Sequence, residues 1–135
     1  MLKKYFFLFL LFTAASSCNN KSAKAPVTDV EVARAFVRNI LDDNFKDAEQ
    51  YLLKDDTNMQ MFERFKKQYN EKGKAVLEKY KGSDIIVNEI SYVTDTVCIF
   101  NYSNSYSITD KTPLKVVRID GKWLVDLKYT FSGNL

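Results

Sequence analysis

The sequence predicts an α+β fold in which amphipathic helices come first and an antiparallel β-sheet follows. Up to Gly82, apolar residues recur at three- and four-residue spacing, which is the period of a helix with one buried face. From Ser83 onward, segments rich in β-branched and aromatic residues alternate with turn residues, as in strands joined by tight turns. Helices followed by strands in this order are typical of a layered α+β domain.

The first helix is predicted to begin at Thr28. Thr28 and Glu31 form a capping box, in which the hydroxyl and the carboxylate accept hydrogen bonds from amides that the first turn leaves unpaired. The residues that fall on one face of this helix are apolar, namely Val32, Ala33, Phe36, Val37, Ile40 and Leu41. The polar residues at 42–44 are expected to end the helix.

Two further helices are predicted before the sheet. A short one covers residues 45–53. A long one is predicted to start at Asp-Asp-Thr, residues 55–57, where the aspartates are N-cap candidates and Thr57 and Gln60 form another possible capping box. The long helix is expected to run without interruption to Gly82, because its apolar stripe continues that far. Gly73 lies on this stripe, where a glycine permits close backbone approach. The opposite face alternates basic residues with glutamates, which indicates a solvated surface rather than a basic docking patch.

Four strands are predicted, at residues 84–93, 96–107, 113–120 and 122–130. Asp120 and Gly121 stand between two apolar segments and predict a two-residue hairpin with a type I′ turn. The alternation in the last strand predicts one buried face, carrying Trp123, Val125, Leu127 and Tyr129. Asp126 has the opposite parity and is therefore expected on the solvent face.

The amino terminus resembles the signal peptide and lipobox of a bacterial lipoprotein. Two lysines precede an apolar run at residues 5–12, and small residues at 13–17 lead directly to Cys18. The apolar run is shorter than the roughly 20 residues that span a bilayer, which argues against a retained transmembrane anchor. The resemblance implies that residues 1–17 are removed, that the Cys18 thiol carries diacylglycerol, and that acyl chains such as palmitate are added at the new amino terminus. The alternative is a plain secretory signal in which Cys18 is a coincidence.

Residues 18–27 are predicted to be a lipidated tether, because residues 19–27 are small or polar and lack periodicity. They contain no acidic surface-export signal, and no aspartate follows Cys18 as it does in lipoproteins retained at the inner membrane. We therefore expect a protein of the bacterial cell envelope that is anchored in the outer membrane and faces the periplasm. Residues 28–132 are predicted to form one domain.

Composition excludes several classes of function. With 20 basic and 17 acidic residues, the chain lacks the charge excess of a typical nucleic-acid-binding protein. It contains no histidine, which excludes a Ser-His-Asp site and leaves few ligands for zinc. Its four glycines form no phosphate-binding loop. Besides Cys18 there is only Cys98, which lies in an apolar strand segment and is expected to be buried and unreactive. No metal and no cofactor are expected.

The chain is similar to the nuclear-transport-factor-2-like (NTF2-like) superfamily, especially its bacterial lipoprotein branch of lumazine-binding-like domains. The segments that carry the resemblance are Asp-Asp-Asn-Phe-Lys-Asp-Ala at 42–48, Tyr-Lys-Gly at 80–82, Ile-Ser-Tyr-Val-Thr-Asp-Thr-Val at 90–97 and Asp-Gly-Lys-Trp-Leu-Val-Asp at 120–126. The resemblance covers roughly residues 27–129. It implies a strongly curved antiparallel sheet wrapped around the N-terminal helices, forming a cone whose mouth can hold a small ligand.

Tyrosine hydroxyls and asparagine amides inside such a cone can orient a ligand against an aromatic wall. The predicted lining residues are Tyr92, Asn101, Tyr102, Asn104, Tyr106, Trp123 and Tyr129. The alternative is that these side chains pack across strands, with their hydroxyls at the rim. Enzymes of the superfamily use an aspartate base with a tyrosine or protonated aspartate donor, or a histidine–aspartate pair. Asp126 is expected on the solvent face, and the paired aspartates are expected at helix ends. No residue is therefore convincing as a catalytic base.

We therefore expect a lipid-anchored NTF2-like module that binds or scaffolds without catalysing a reaction. The alternatives are a small-molecule binder that uses the cone cavity and an isomerase- or dehydratase-like enzyme. The expected partners are the membrane, through the lipid on Cys18, a small apolar or aromatic ligand, and a protein partner or a second copy of the chain. Nucleic acid is not expected.

Overall fold

The computed structural model describes residues 24–132, so the predictions for the signal peptide and Cys18 lie outside the described residues. The helices in this part are α1 (Asp29–Leu41), α2 (Phe45–Ala48), a 3₁₀ helix (Glu49–Tyr51), α3 (Asp56–Asn70), α4 (Lys74–Lys81) and α5 (Leu127–Ser132). The strands are β1 (Ile85–Thr94), β2 (Val97–Asn104), β3 (Ser107–Ile119) and β4 (Lys122–Asp126). Apart from α5, the helices precede the sheet, which confirms the α+β class.

The four strands form one antiparallel sheet in the order β1-β2-β3-β4, so each strand pairs with its neighbour in sequence. The β3–β4 hairpin has two turn residues with positive φ, Asp120 at 50° and Gly121 at 79°, between the paired Ile119 and Lys122. The predicted type I′ turn is therefore confirmed. The prediction placed the start of the third strand too late, because β3 already begins at Ser107.

Helix α1 begins as its sequence predicts. The Thr28 hydroxyl accepts the Glu31 amide at 3.2 Å, and the Glu31 carboxylate accepts the Thr28 amide at 3.1 Å, which completes the capping box. All six residues of the predicted apolar face are buried. They belong to the same hydrophobic core as Phe100, Leu114 and Val116 of the sheet. Helix α1 thus covers the inner face of the sheet and forms one wall of any space between the two layers.

The long third helix starts at the predicted aspartates, but its Thr57 capping box and its predicted continuity are wrong. Its N-cap is Asp55, whose carboxylate accepts the Asn58 amide at 2.9 Å, so Thr57 lies inside the first turn instead of capping it. The helix ends at Asn70, and α4 starts after Gly73, which has a φ of 84°. A Cβ at Gly73 would meet nothing within 4 Å, so this glycine serves a positive φ and not a close backbone approach.

The predicted solvent position of Asp126 is also wrong. The last strand ends at Asp126, the chain continues as α5, and Asp126 is 5% exposed. Its carboxylate lies 3.5 Å from the Lys115 ammonium and 3.8 Å from that of Lys128. The alternation of side chains along a strand predicts which face a residue lies on only as long as the strand continues. It predicts solvent exposure only if no other element covers that face. Here α5 folds back on β3, where the Thr130 hydroxyl donates to the Pro113 carbonyl at 2.8 Å.

Among residues 24–132, no helix has the length and apolar character needed to cross a membrane.

Candidate functional site

A cavity of about 170 Å³ lies between the helices and the sheet. Helix α1 contributes two apolar residues to it, α3 and the following turn contribute an aromatic pair and a lysine, and the remaining residues come from α4, β2 and β3. The lining consists of Ile40, Leu41, Phe65, Tyr69, Lys72, Tyr80, Tyr102, Asn104, Asp110 and Thr112. We call this space the tyrosine cavity.

Three tyrosines from three different elements give the tyrosine cavity its character. Tyr69 and Tyr80 lie on the apolar stripe that α3 and α4 share, and the turn at Gly73 lets their rings approach to 5.7 Å between centroids. Tyr102 comes from β2, where it pairs with Thr112 of β3. All three side chains are buried. The wall is therefore aromatic, with hydroxyl groups as its polar component.

The Tyr69 hydroxyl holds α1 in place. It donates a hydrogen bond of 3.1 Å to the carbonyl of Leu41, in the last turn of α1, where carbonyls lack partners within the helix. Burial raises the pKa of Tyr69 well above its usual value of 10.0, and the nearby Asp43 carboxylate adds to this effect. Tyr69 therefore stays neutral and serves as a structural donor.

Tyr102 is a buried polar residue of the cavity wall. Burial raises its pKa to about 12, which outweighs the opposing effect of a hydrogen bond with the Thr112 side chain. A phenol with this pKa keeps its proton at neutral pH. Tyr102 can therefore donate a hydrogen bond to a ligand, but it cannot act as a base at physiological pH.

Charged groups occur at the rim of the tyrosine cavity and not in its interior. The Lys72 ammonium lies 5.9 Å from the centroid of the Tyr80 ring, within the range of a cation–π contact. Asp110 is the only carboxylate of the lining, and it is exposed. Between residues 24 and 132 no three metal-ligating side chains cluster. The arrangement suits a small aromatic molecule whose polar substituent contacts a tyrosine hydroxyl.

Of the seven predicted lining residues, two meet at the tyrosine cavity. These are Tyr102 and Asn104, although the side-chain oxygen Oδ1 of Asn104 already accepts the backbone amides of Tyr106 and Ser107 at 3.1 and 2.9 Å. Tyr106 is exposed, and its ring packs against Tyr80 with 5.8 Å between centroids.

The other four predicted lining residues lie elsewhere. Asn101 and Tyr129 border a depression of about 330 Å³. It lies on the opposite face of the sheet from the tyrosine cavity, because Asn101 directly precedes Tyr102 in β2 and neighbouring strand residues point to opposite faces. Trp123 borders a groove of about 300 Å³ beside residues 26 and 27. Tyr92 is largely exposed and bonds to the Asp29 carboxylate. The seven residues therefore do not converge on one site.

Sequence reasoning missed Tyr69, Tyr80 and Lys72. Both tyrosines appear in the sequence as members of a helical apolar stripe, where a buried aromatic residue usually belongs to the core. The signal that could have singled them out is their hydroxyl, because a buried tyrosine needs a partner or a cavity for its polar end.

The expected burial of Cys98 is confirmed. The residue is fully buried, and burial raises the pKa of its thiol to about 12, with a further contribution from the Asp29 carboxylate. A thiol that stays protonated and has no access to solvent is not a nucleophile.

Comparisons with known proteins identify no relative. No family model matches the chain, and neither a curated protein nor a solved structure does.

Proposed function

We propose that this chain is a lipid-anchored, periplasm-facing binding module of NTF2-like architecture that takes a small aromatic ligand into the tyrosine cavity and does not transform it. The single observation that carries the proposal is the enclosure of this cavity by Tyr69, Tyr80 and Tyr102. The NTF2-like part is supported by helices that precede an antiparallel sheet and cover its inner face.

The size and lining of the cavity favour a ligand with one ring. A volume of about 170 Å³ is below the roughly 300–1,000 Å³ of drug-sized sites. It is close to the roughly 150 Å³ at which an apolar cavity accepts benzene. The tyrosine rings would pack against such a ligand, and Tyr102 would donate a hydrogen bond to its polar substituent.

The lining supports binding over catalysis, because its described residues offer tyrosine hydroxyls as hydrogen-bond donors but no buried carboxylate that could act as a base. The pKa values of Tyr69 and Tyr102 are raised, so both hydroxyls keep their protons at neutral pH. Asp110, the only carboxylate among the described lining residues, is exposed, and the other carboxylates considered as bases lie outside the cavity. Glu63, Glu78, Glu89 and Asp95 are exposed, and Asp126 lies between two lysines.

The lipid anchor is tested by the mass of the mature protein. Protein isolated from the membrane fraction should begin at Cys18 and carry the mass of diacylglycerol and an additional acyl chain. The Cys18→Ser variant should accumulate as an unprocessed precursor, because it lacks the thiol that accepts the lipid. A native mature terminus at any other residue would contradict the anchor.

Ligand binding is tested by thermal unfolding against a panel of single-ring aromatic compounds. A compound that binds only the folded state raises the melting temperature. Phe65→Trp adds volume to the cavity wall and should remove the shift. The control is Phe131→Trp, because Phe131 contacts Phe65 at 6.1 Å between centroids but does not line the cavity. An equal shift in wild type and Phe65→Trp would place the ligand elsewhere.

A further inference from the structure

A surface at the β3–β4 hairpin lies directly beside the first described residues. The groove of about 300 Å³ that separates the hairpin from residues 26 and 27 is bordered by Val27, Tyr51, Lys122 and Trp123. Arg118 and Ile119 continue the surface along β3, where they pair with Trp123 and Lys122 of β4. We call this surface the hairpin patch, defined by Val27, Tyr51, Arg118, Ile119, Lys122 and Trp123.

The segment at residues 24–27 is fixed to the domain next to the hairpin patch. The Glu31 carboxylate accepts the amides of Val27 and Thr28 at 2.9 and 3.1 Å. Val27 and Val32 border the same groove, at the positions of a hydrophobic staple before and after the N-cap. The chain segment that leads to Cys18 therefore leaves the domain on the side of the hairpin patch.

The distance from Cys18 to this side is short. Five residues, 19–23, separate Cys18 from Lys24, and the six peptide links between them span at most about 22 Å when fully extended. A lipid on Cys18 would therefore keep Lys24 within about 22 Å of the lipidated residue, whatever the conformation of the connecting residues. The hairpin patch borders the segment that Lys24 begins, since residues 26 and 27 line the same groove.

The chemistry of the hairpin patch suits the surface of a bilayer. Val27 is 61% exposed and Ile119 is 41% exposed, although both are large apolar residues. Tyr51 and Trp123 are partly buried, and such amphipathic rings are enriched at membrane–water interfaces.

The charges around these apolar residues are mainly positive. The Arg118 guanidinium lies 5.9 Å from the centroid of the Trp123 ring, and Lys24 and Lys122 are exposed. The acidic residues nearby are Asp120 in the turn and Glu31, whose carboxylate is already bonded to two amides. Basic residues close to an anionic lipid surface are attracted to it.

Other exposed surfaces match this chemistry less well. Strand β1 exposes Val87, Ile90, Tyr92 and Val93, but its one charged residue is Glu89. The exposed face of α3 combines Arg64 and Lys67 with Glu63 and exposes no large apolar residue. Apolar, aromatic and basic residues come together where the chain leads toward the anchor.

We propose that the hairpin patch docks on an anionic lipid bilayer and thereby fixes the orientation of the anchored domain. This inference rests on the proposed lipid anchor and adds a second, weaker contact with the same membrane, as interfacial binding commonly requires two signals.

The test uses Trp123, the only tryptophan of the chain, as a reporter of the patch. The lipidated protein is reconstituted into vesicles of phosphatidylethanolamine and phosphatidylglycerol, with or without bromine atoms on the acyl chains. Brominated lipids quench a tryptophan only at short range. We expect most Trp123 fluorescence to be lost in brominated vesicles. The double variant Arg118→Glu/Lys122→Glu should lose this quenching, whereas the control Lys67→Glu/Lys74→Glu on α3 and α4 should keep it.

Flotation of the vesicles separates the anchor from the docking. Protein that floats but shows no quenching would overturn the docking and leave the anchor and the tyrosine cavity intact. Equal quenching in wild type and in Arg118→Glu/Lys122→Glu would overturn it too, as would equal quenching in vesicles of phosphatidylcholine alone. Trp123 could instead be shielded from acrylamide in detergent, and more strongly as the protein concentration rises. That result would show that the patch binds a second copy of the chain, and it would overturn the docking. Protein that does not float would overturn both anchor and docking.

Discussion

The side-chain oxygen of Asn58 accepts the backbone amide of Leu127 at a distance of 2.8 Å. Asn58 is completely buried in the first turn of α3, and Leu127 is the first residue of α5. The Asn58 side-chain NH₂ group also donates to the Asp55 carboxylate at 3.0 Å. One side chain therefore connects the N-cap of α3 with the junction between β4 and α5.

Replacing Asn58 should therefore be costly. Asn58→Ala leaves the buried Leu127 amide without its acceptor, and an unsatisfied buried group costs about 1–3 kcal/mol. Chemical denaturation should show this loss, while Gln60→Ala, at an exposed position of the same turn, should stay within about 0.5 kcal/mol of wild type. Equal midpoints for both variants would show that this hydrogen bond does not hold α5.

The acid sensitivity of the domain should depend on Asp55. The Lys128 ammonium, 2.7 Å from the Asp55 carboxylate, and then the Asn58 amide hold the pKa of Asp55 below its usual value of 3.8. Because the folded pKa is lowered, Asp55 contributes stability that is complete above about pH 4 and is lost as the pH falls through the folded pKa. The free energy of unfolding should therefore fall less steeply below pH 4 in Asp55→Asn than in wild type.

Part of the acid dependence should remain in that variant. Hydrogen bonds from the amides of Val27 and Thr28 also lower the pKa of Glu31, which acts in the same direction. The matched control is Asp56→Asn at the exposed neighbouring position, whose pH profile should follow that of wild type. Parallel profiles for wild type and Asp55→Asn would contradict the role of the Lys128 pair.

The Cys98 thiol should resist alkylation in the folded protein. It is inaccessible, and its pKa of about 12 keeps it protonated at pH 8. Iodoacetamide should therefore modify Cys98 only after denaturation in urea, and peptide mapping by mass spectrometry distinguishes it from Cys18. Rapid modification of Cys98 without denaturant would mean that β2 opens readily or that its surroundings are misassigned.

The β3–β4 turn should not tolerate a β-branched residue at its second position. Gly121 has a φ of 79°, a region that costs an L-residue roughly 1–2 kcal/mol. Gly121→Val should lower the denaturation midpoint accordingly. Gly82→Ala is the control, because Gly82 has a φ of −83°, and at a compatible position this change stabilises by up to about 1 kcal/mol. An unchanged midpoint for Gly121→Val would show that the turn is not type I′.

The elements that the sequence predicted well carry their signals locally. Helix α1 follows from a capping box within four residues and one apolar face, and the β3–β4 hairpin follows from Asp120 and Gly121. Such signals depend on backbone conformation and nearby hydrogen bonds, so neighbouring residues suffice to predict them.

The errors arise where distant residues decide the conformation. The alternation from Trp123 to Tyr129 predicts a strand, but the Leu127 amide bonds to Asn58, 69 positions earlier, and the chain turns into α5. The stripe through Gly73 predicts one helix because α3 and α4 contribute to the same core. The tyrosine cavity was missed for the same reason, since the proximity of Tyr69, Tyr80 and Tyr102 depends on how three elements pack.

The most direct test of the account is to observe the tyrosine rings while a ligand is added. The protein is prepared with carbon-13 in its tyrosine rings, and NMR spectra are recorded during a titration with phenol as a single-ring probe. We predict saturable shifts of the Tyr80 and Tyr102 resonances, little change at Tyr129 outside the cavity, and no saturable shift in Phe65→Trp. Shifts that are absent, or that grow linearly and equally at all tyrosines, would contradict a binding function for the tyrosine cavity.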